Sequence, residues 1–302
     1  LDTVCGQLID YQKDGQKLLK RGPQFTFWRA PTSNDMEIVT EMKQRQFLHL
    51  EHEVVRDFSW QASEQEAVVR VKTMHGTTNS AWHFDCQYEY RILATGDILF
   101  KLNGTPDGKL DMTPDMLPRL GVDLRLNPDL AQVRYFGRGP RENYVDSREA
   151  GLLGVYTTDV DSLFTNYVVP QANGNHLDTK WASLTDERGQ GMLFSNPSGI
   201  NFSASYYEQR DLDEAKHTID LKKRDYVVLN LDYQQNALGS FSCGQWQLEK
   251  YRTKVTDFEL SFRMTGFNQK EVRDTVLARE ELVDEFDSVS YTHLTLPTIC
   301  SV

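Results

Sequence analysis

The chain has 302 residues, and 44 Asp and Glu against 33 Lys and Arg give a formal charge of −11, with a pI near 5.2. That sign argues against a partner presenting phosphates, whether nucleic acid or an anionic membrane surface, and no run approaches the ~18 apolar residues of a membrane span. The four cysteines, at 5, 86, 243 and 300, share no C-x-x-C spacing, so neither a zinc knuckle nor a dense disulfide framework is expected.

In chain order, helical spacing first covers about 36–49, followed by a strand candidate at 66–73. The clearest alternation comes next: Trp82, Phe84, Cys86, Tyr88, Tyr90 and Ile92, with His83, Asp85, Gln87, Glu89 and Arg91 between them, a strand with one wet face. A candidate at 97–103 precedes Leu120-Val122-Leu124-Leu126, and short candidates at 131–136, 166–170 and 191–195 precede Ile200-Phe202-Ala204-Tyr206. A helix is expected over 208–217 with Leu212 and Ala215 inward, then strands at 226–232 and at Phe258-Leu260-Phe262-Met264. Asn103-Gly104, Pro106-Asp107-Gly108, Asn173-Gly174 and Arg188-Gly189 supply turn chemistry between them. Ten or more strands with sparse helix predict an all-β, antiparallel sandwich.

Three segments follow from this reading: a strand-rich domain over 1–264, an acidic helical or disordered tail over 265–289, and 290–302. Val272, Val276, Val283 and Phe286 fall at helical spacing in the tail. The last segment matches neither the composition nor the periodicity of the rest and reads as non-native read-through. The chain starts at Leu1 rather than Met, so it is taken as a piece of something longer.

Two clusters stand out. Phe27-Trp28-Arg29-Ala30-Pro31-Thr32-Ser33-Asn34-Asp35 offers a planar guanidinium and short polar side chains suited to pinning a loop. Tyr135-Phe136-Gly137-Arg138-Gly139-Pro140-Arg141-Glu142-Asn143-Tyr144-Val145-Asp146 forces a tight turn whose exit is crowded with polar groups. For both, a hydrogen-bonded structural corner is the favoured reading over a ligand site. The residues expected to build these corners are Trp28, Arg29, Asn34, Asp35, Gly137, Gly139, Pro140, Glu142, Asn143, Tyr144 and Asp146. Glu142 and Asp146 as a catalytic pair is the less favoured alternative. His49, His52, His75, His83, His176 and His217 form no metal-ligand spacing, so no metal is assigned.

These clusters, with Tyr167 to Pro170, Gln171, Asn173-Gly174-Asn175, Trp181, Leu238-Gly239-Ser240 and Ser242-Cys243-Gly244, resemble in order the C-terminal small-chain domain of β-galactosidases of glycoside hydrolase family 2. Gly6, Tyr11, Gly15 and Leu18-Leu19 resemble that domain's first hairpin. The resemblance implies a β-supersandwich similar to galactose mutarotase and a catalytic TIM barrel that this chain lacks. The barrel would be this chain's partner, as part of the same chain or as a large subunit, and it would hold both glutamates and the family's magnesium and sodium. No catalytic residue and no cofactor is therefore assigned to this segment.

What the segment would contribute is packing and a substrate-site loop of Ser242, Cys243, Gly244 and Trp246, acting on a β-galactoside such as lactose. In one branch of the family a Trp borders the sugar at this point, and here Cys243 takes that position. Ser33 stands where the family commonly has Asp, and His176 where an Arg often follows the Gly-Asn pair; each change is expected to touch a local salt bridge. The parent implied is a homo-oligomer, with the cytoplasm favoured over the periplasm. The alternatives are a stand-alone carbohydrate-binding or aldose-epimerase-like protein and a purely structural interaction domain.

Overall fold

Alternation at 82–92 becomes two-faced burial: Trp82, Phe84, Cys86, Tyr88 and Tyr90 are each at most 3% exposed, whereas Asp85 and Gln87 lie in solvent. The computed structural model describes residues 1–280 apart from 79 and 240–242. Its strands are β1 (Tyr11–Lys13), β2 (Gln16–Thr26), β3 (Glu51–Ala62), β4 (Glu66–Thr77), β5 (Trp82–Leu93), β6 (Ile98–Gly108) and β7 (Arg119–Leu126). Then follow β8 (Gln132–Gly139), β9 (Leu152–Asp159), β10 (His176–Thr185), β11 (Gln190–Ser205), β12 (Val227–Gln235) and β13 (Phe258–Asn268). The fold is all-β and the pairing antiparallel.

Strand order runs β1-β2-β7-β12-β11-β13-β6-β5-β4-β3, with β10, β8 and β9 branching from β11. The branch is made by one strand. The first half of β11 pairs with β13 (Ser195 opposite Arg263), and its second half pairs with β12 (Phe202 opposite Leu231). Between them Asn196 to Gly199 bulge out opposite Lys180 of β10, and the bulge redirects the strand. Asn196 Oδ1 accepts from the amides of Ser198 (2.7 Å) and Gly199 (3.2 Å), which fixes the bend.

The core lies between the two halves of the sheet. Phe25 stacks on Phe258 (5.1 Å between centroids) and meets Phe84 edge-on at 5.5 Å, geometries that the ring quadrupole favours. β3 is one edge of the sheet, as are β1 and β9, and its charges, Glu51, His52, Glu53, Arg56 and Asp57, guard it against further pairing.

Five sequence readings change, the first being that Asn103-Gly104 and Pro106-Asp107-Gly108, expected as turns, lie inside β6 and pair with β5. Region 36–49 is not a regular helix: one wide turn at Glu41–Arg45 is followed by Phe47 in the left-handed region (φ 54°) and a tight turn at Leu48–Leu50. Ile38, Met42 and Leu48 are buried there, so the apolar spacing reported burial rather than a helix. No strand forms at 166–170, where Val168 is 90% exposed and Val169 56%; two β-branched residues before a proline mimicked a strand. The hairpin β1–β2, and β3, β9 and β10, were not read from alternation, because β10 is buried on both faces and β3 is charged on both. Within the tail expected as helical or disordered over 265–289, β13 runs to Asn268 and a short turn of helix forms at Asp274–Leu277, and Val283 and Phe286 lie outside the described residues.

The boundary drawn at 264 falls inside β13. Beyond it, Asp274 is fully buried, accepting from Arg134 Nη1 at 2.6 Å and Ser183 Oγ at 2.9 Å. Leu277 packs with Trp181, Leu193 and Phe267. Residues 281–302 lie outside the described residues.

Candidate functional site

The run 27–35 leaves β2 and turns on a buried ion pair. Arg29, 1% exposed, donates from Nη1 to Asp35 Oδ2 at 3.0 Å and from Nε to the Pro118 carbonyl at 3.2 Å. The same Asp35 oxygen accepts from the amide (2.8 Å) and hydroxyl (2.9 Å) of Thr32, so the carboxylate caps the turn it belongs to. Trp28 is buried beside them, its ring 5.8 Å from that of His49. The amide of Ser33 donates to Gln171 Oε1 at 2.6 Å, so this residue makes a backbone tie to another motif.

The run 137–146 leaves β8 through a cis Gly139–Pro140 bond. Asn143 then makes five hydrogen bonds. Its Nδ2 donates to the carbonyls of Arg138 (3.1 Å) and Arg141 (3.0 Å), its Oδ1 accepts from the Leu177 amide (2.9 Å), and its own carbonyl accepts from Asn175 Nδ2 (2.8 Å). Its amide donates to the Asn175 carbonyl at 2.7 Å. Glu142 accepts from the Gly174 amide (2.7 Å), from the Tyr144 hydroxyl (3.4 Å) and from the Tyr167 hydroxyl. Burial, and then the Glu142 carboxylate, push the Tyr144 and Tyr167 phenols up. Both oxygens of Glu142 are thus occupied in holding backbone and phenols.

The two runs converge on one residue. Asn34 Nδ2 donates to the Gly239 carbonyl at 2.9 Å, and Asp146 Oδ2 accepts from the Gly239 amide at 2.7 Å. Gly239 has φ 67°, a conformation that suits glycine. It is the foot of the loop carrying Cys243, Gly244 and Trp246. Cys243 and Gly244 are exposed, while Trp246 is half-buried against the core with the Arg252 guanidinium 5.1 Å from its ring centre. Ser242 lies outside the described residues.

His176, standing where the family often has Arg, makes backbone and ring contacts rather than a salt bridge. It is 1% exposed, its ring is edge-on to Tyr135 at 4.8 Å, and its Nδ1 lies 3.0 Å from the Gly174 carbonyl. Burial pushes its pKa down, which keeps the ring neutral. The described residues also bring His83, Asp85 and Asp107 within 4.8 Å of one another. Sequence spacing does not reveal this grouping, because Asp107 arrives across the β5–β6 pairing.

A model of the β-galactosidase small chain matches residues 1–264. The chain belongs to the β-galactosidase small-chain family. Among relatives, the β-galactosidase of Actinobacillus pleuropneumoniae is 30% identical over 262 residues, covering 87% of this chain and 25% of that protein. That of Kluyveromyces lactis is 29% identical over 270 residues, covering 87% and 26%, and that of Lactobacillus delbrueckii subsp. bulgaricus 28% over 251, covering 80% and 23%. This small chain therefore spans about a quarter of the length of the curated relatives it matches. Among solved structures, galactose 1-epimerase from Lactobacillus acidophilus is similar at a TM-score of 0.38 and 12% identity, covering 71% of this chain and 67% of that one.

Proposed function

We propose that this chain is the part of a β-galactosidase that presents one wall of the substrate site, for hydrolysis of terminal β-linked galactose in lactose-type substrates. The observation that carries it is the double grip of Asn34 and Asp146 on Gly239. Each of the family's two most distinctive runs gives one side chain to fixing the foot of one exposed loop. A loop fixed at its foot can hold Cys243 and Gly244 against a sugar with little ordering cost on binding. Trp246, half-covered by Arg252, braces that loop from below.

The retaining reaction needs two carboxyl groups about 5–5.5 Å apart, and the carboxylates of the loop platform, Glu142 and Asp146, already bind backbone amides. The catalytic pair accordingly belongs to a barrel-bearing portion, in the same polypeptide or in a large subunit. The test is hydrolysis of a chromogenic β-galactoside by the purified chain, alone and with a barrel-containing large fragment of a related enzyme. Activity only in the mixture is expected, with Asp146→Ala lowering kcat/KM there. Activity of the chain alone would overturn the assignment.

A further inference from the structure

A cleft of about 260 Å³ opens between β2, β7 and β12 on one side and β3 and β4 on the other. None of residues 243–246 lines it. Four guanidinium groups, Arg21, Arg119, Arg125 and Arg210, and four carboxylates, Glu51, Glu53, Asp123 and Glu208, line it. Most of these charges are met within the protein: Arg21 pairs with Asp123, Arg125 with Glu208, Arg119 with Asp232, and Arg210 with Glu214 at 2.7 Å. Glu51 lies 3.1 Å from His75 Nε2 and accepts from the Phe27 amide at 3.0 Å. Glu53 accepts from the hydroxyls of Thr73 (2.7 Å) and Tyr88 (2.6 Å).

With charges balanced, the cleft has no excess of either sign for an ionic ligand, yet it keeps hydrogen-bonding capacity. His75 Nδ1, Arg21 Nε, Arg119 Nε and Arg125 Nε are buried and have no hydrogen-bond partner in the protein, and His75 and Arg119 are only 2% and 1% exposed. Buried polar atoms of this kind are costly unless something meets them. Donors and acceptors side by side on paired side chains match a ligand whose every group both donates and accepts, which is the chemistry of vicinal hydroxyls. Trp28 and Phe25 add aromatic surface to the lining. The volume lies just below the range of drug-sized pockets, which begins at roughly 300 Å³, and so suits one sugar ring rather than two.

We infer that this cleft binds a single neutral polyhydroxylated ring, a free hexose or the terminal unit of a glycan. The inference is independent of the hydrolytic role, because it is read by binding in the absence of turnover. The test is saturation-transfer NMR and calorimetry on the chain with D-galactose and D-glucose, against D-galacturonate and inorganic phosphate as anionic probes. Gln24 lines the cleft from β2 outside the ion pairs described, so Gln24→Trp fills the space and leaves the charges in place. His52→Trp, on an exposed rim position, serves if the first variant does not fold by circular dichroism. Binding of a neutral hexose weakened at least tenfold by either variant, with wild-type far-UV spectra, is expected. No hexose binding, binding indifferent to a folded Gln24→Trp or His52→Trp chain, or preference for an anion would each overturn the inference.

Discussion

The loop platform and the cleft are both polar, but they spend their polarity differently. In the platform, Asn143, Asn175 and Asp146 bond mainly to backbone and Glu142 to one amide and two phenols, so these side chains substitute for missing strand pairing. In the cleft, side chains carried by strands bond mainly to side chains, as Arg21 does to Asp123. Their backbones are already satisfied by the sheet, as in the pairing of β2 with β7. Removing a platform group should therefore loosen a loop, whereas removing a cleft group should alter charge on a scaffold that stays in place.

The largest test of this contrast is Asp35→Ala. It leaves Arg29, 1% exposed, as an uncompensated buried cation, for which a loss of about 3–5 kcal/mol is expected. Urea unfolding measures it. A loss below ~1 kcal/mol would mean that water reaches Arg29 and that the corner is not the anchor of the platform.

A second test lies behind the cleft. Burial pushes Asp232 up to about 6, outweighing the opposing Arg119 guanidinium. A folded-state pKa above the unfolded one means that folding takes up a proton between roughly pH 4 and 6. The Asp232 contribution is then fully present below pH 4 and declines as pH rises to 6, by about 3 kcal/mol. Asp232→Asn should flatten that decline in urea titrations run from pH 4 to 7, while the far-UV spectrum stays unchanged. A slope identical in both proteins would assign the titration elsewhere.

The strands were legible where one face is wet, as at 82–92 and 258–264, because alternation is the direct print of a pleat with a dry side. They were not legible in β10, whose residues His176 to Thr185 are nearly all buried, since burial on both faces erases period two. Nor could local pattern show that β11 serves three partners, β10, β12 and β13, the switch from β13 to β12 falling at the bulge at 196–199. For the site, the residues of the two runs were found as residues, but their meeting at Gly239 joins positions 34, 146 and 239. The cleft went unread altogether, because its groups alternate along separate strands with no shared spacing.

Glu142 gives the smallest and sharpest comparison. Glu142→Gln keeps the shape and an oxygen for the Gly174 amide, 2.7 Å away in the unsubstituted chain, and removes the charge together with the acceptor that faces the Tyr167 hydroxyl. Charge-assisted hydrogen bonds are worth more than neutral ones by about 1 kcal/mol, so a loss of that order is expected in urea unfolding. The phenols report the same event separately. Glu142 is second only to burial in raising Tyr167, so the variant should bring one phenolate transition to lower pH in an ultraviolet titration. Gly174, at φ 77°, would then be held by a weaker acceptor, and amide exchange there should quicken while amides of β5 keep their protection. Equal quickening in both would mean that the platform and the sheet open together, and that the polar groups around Gly239 are tied to the body of the fold more tightly than their bonding pattern suggests.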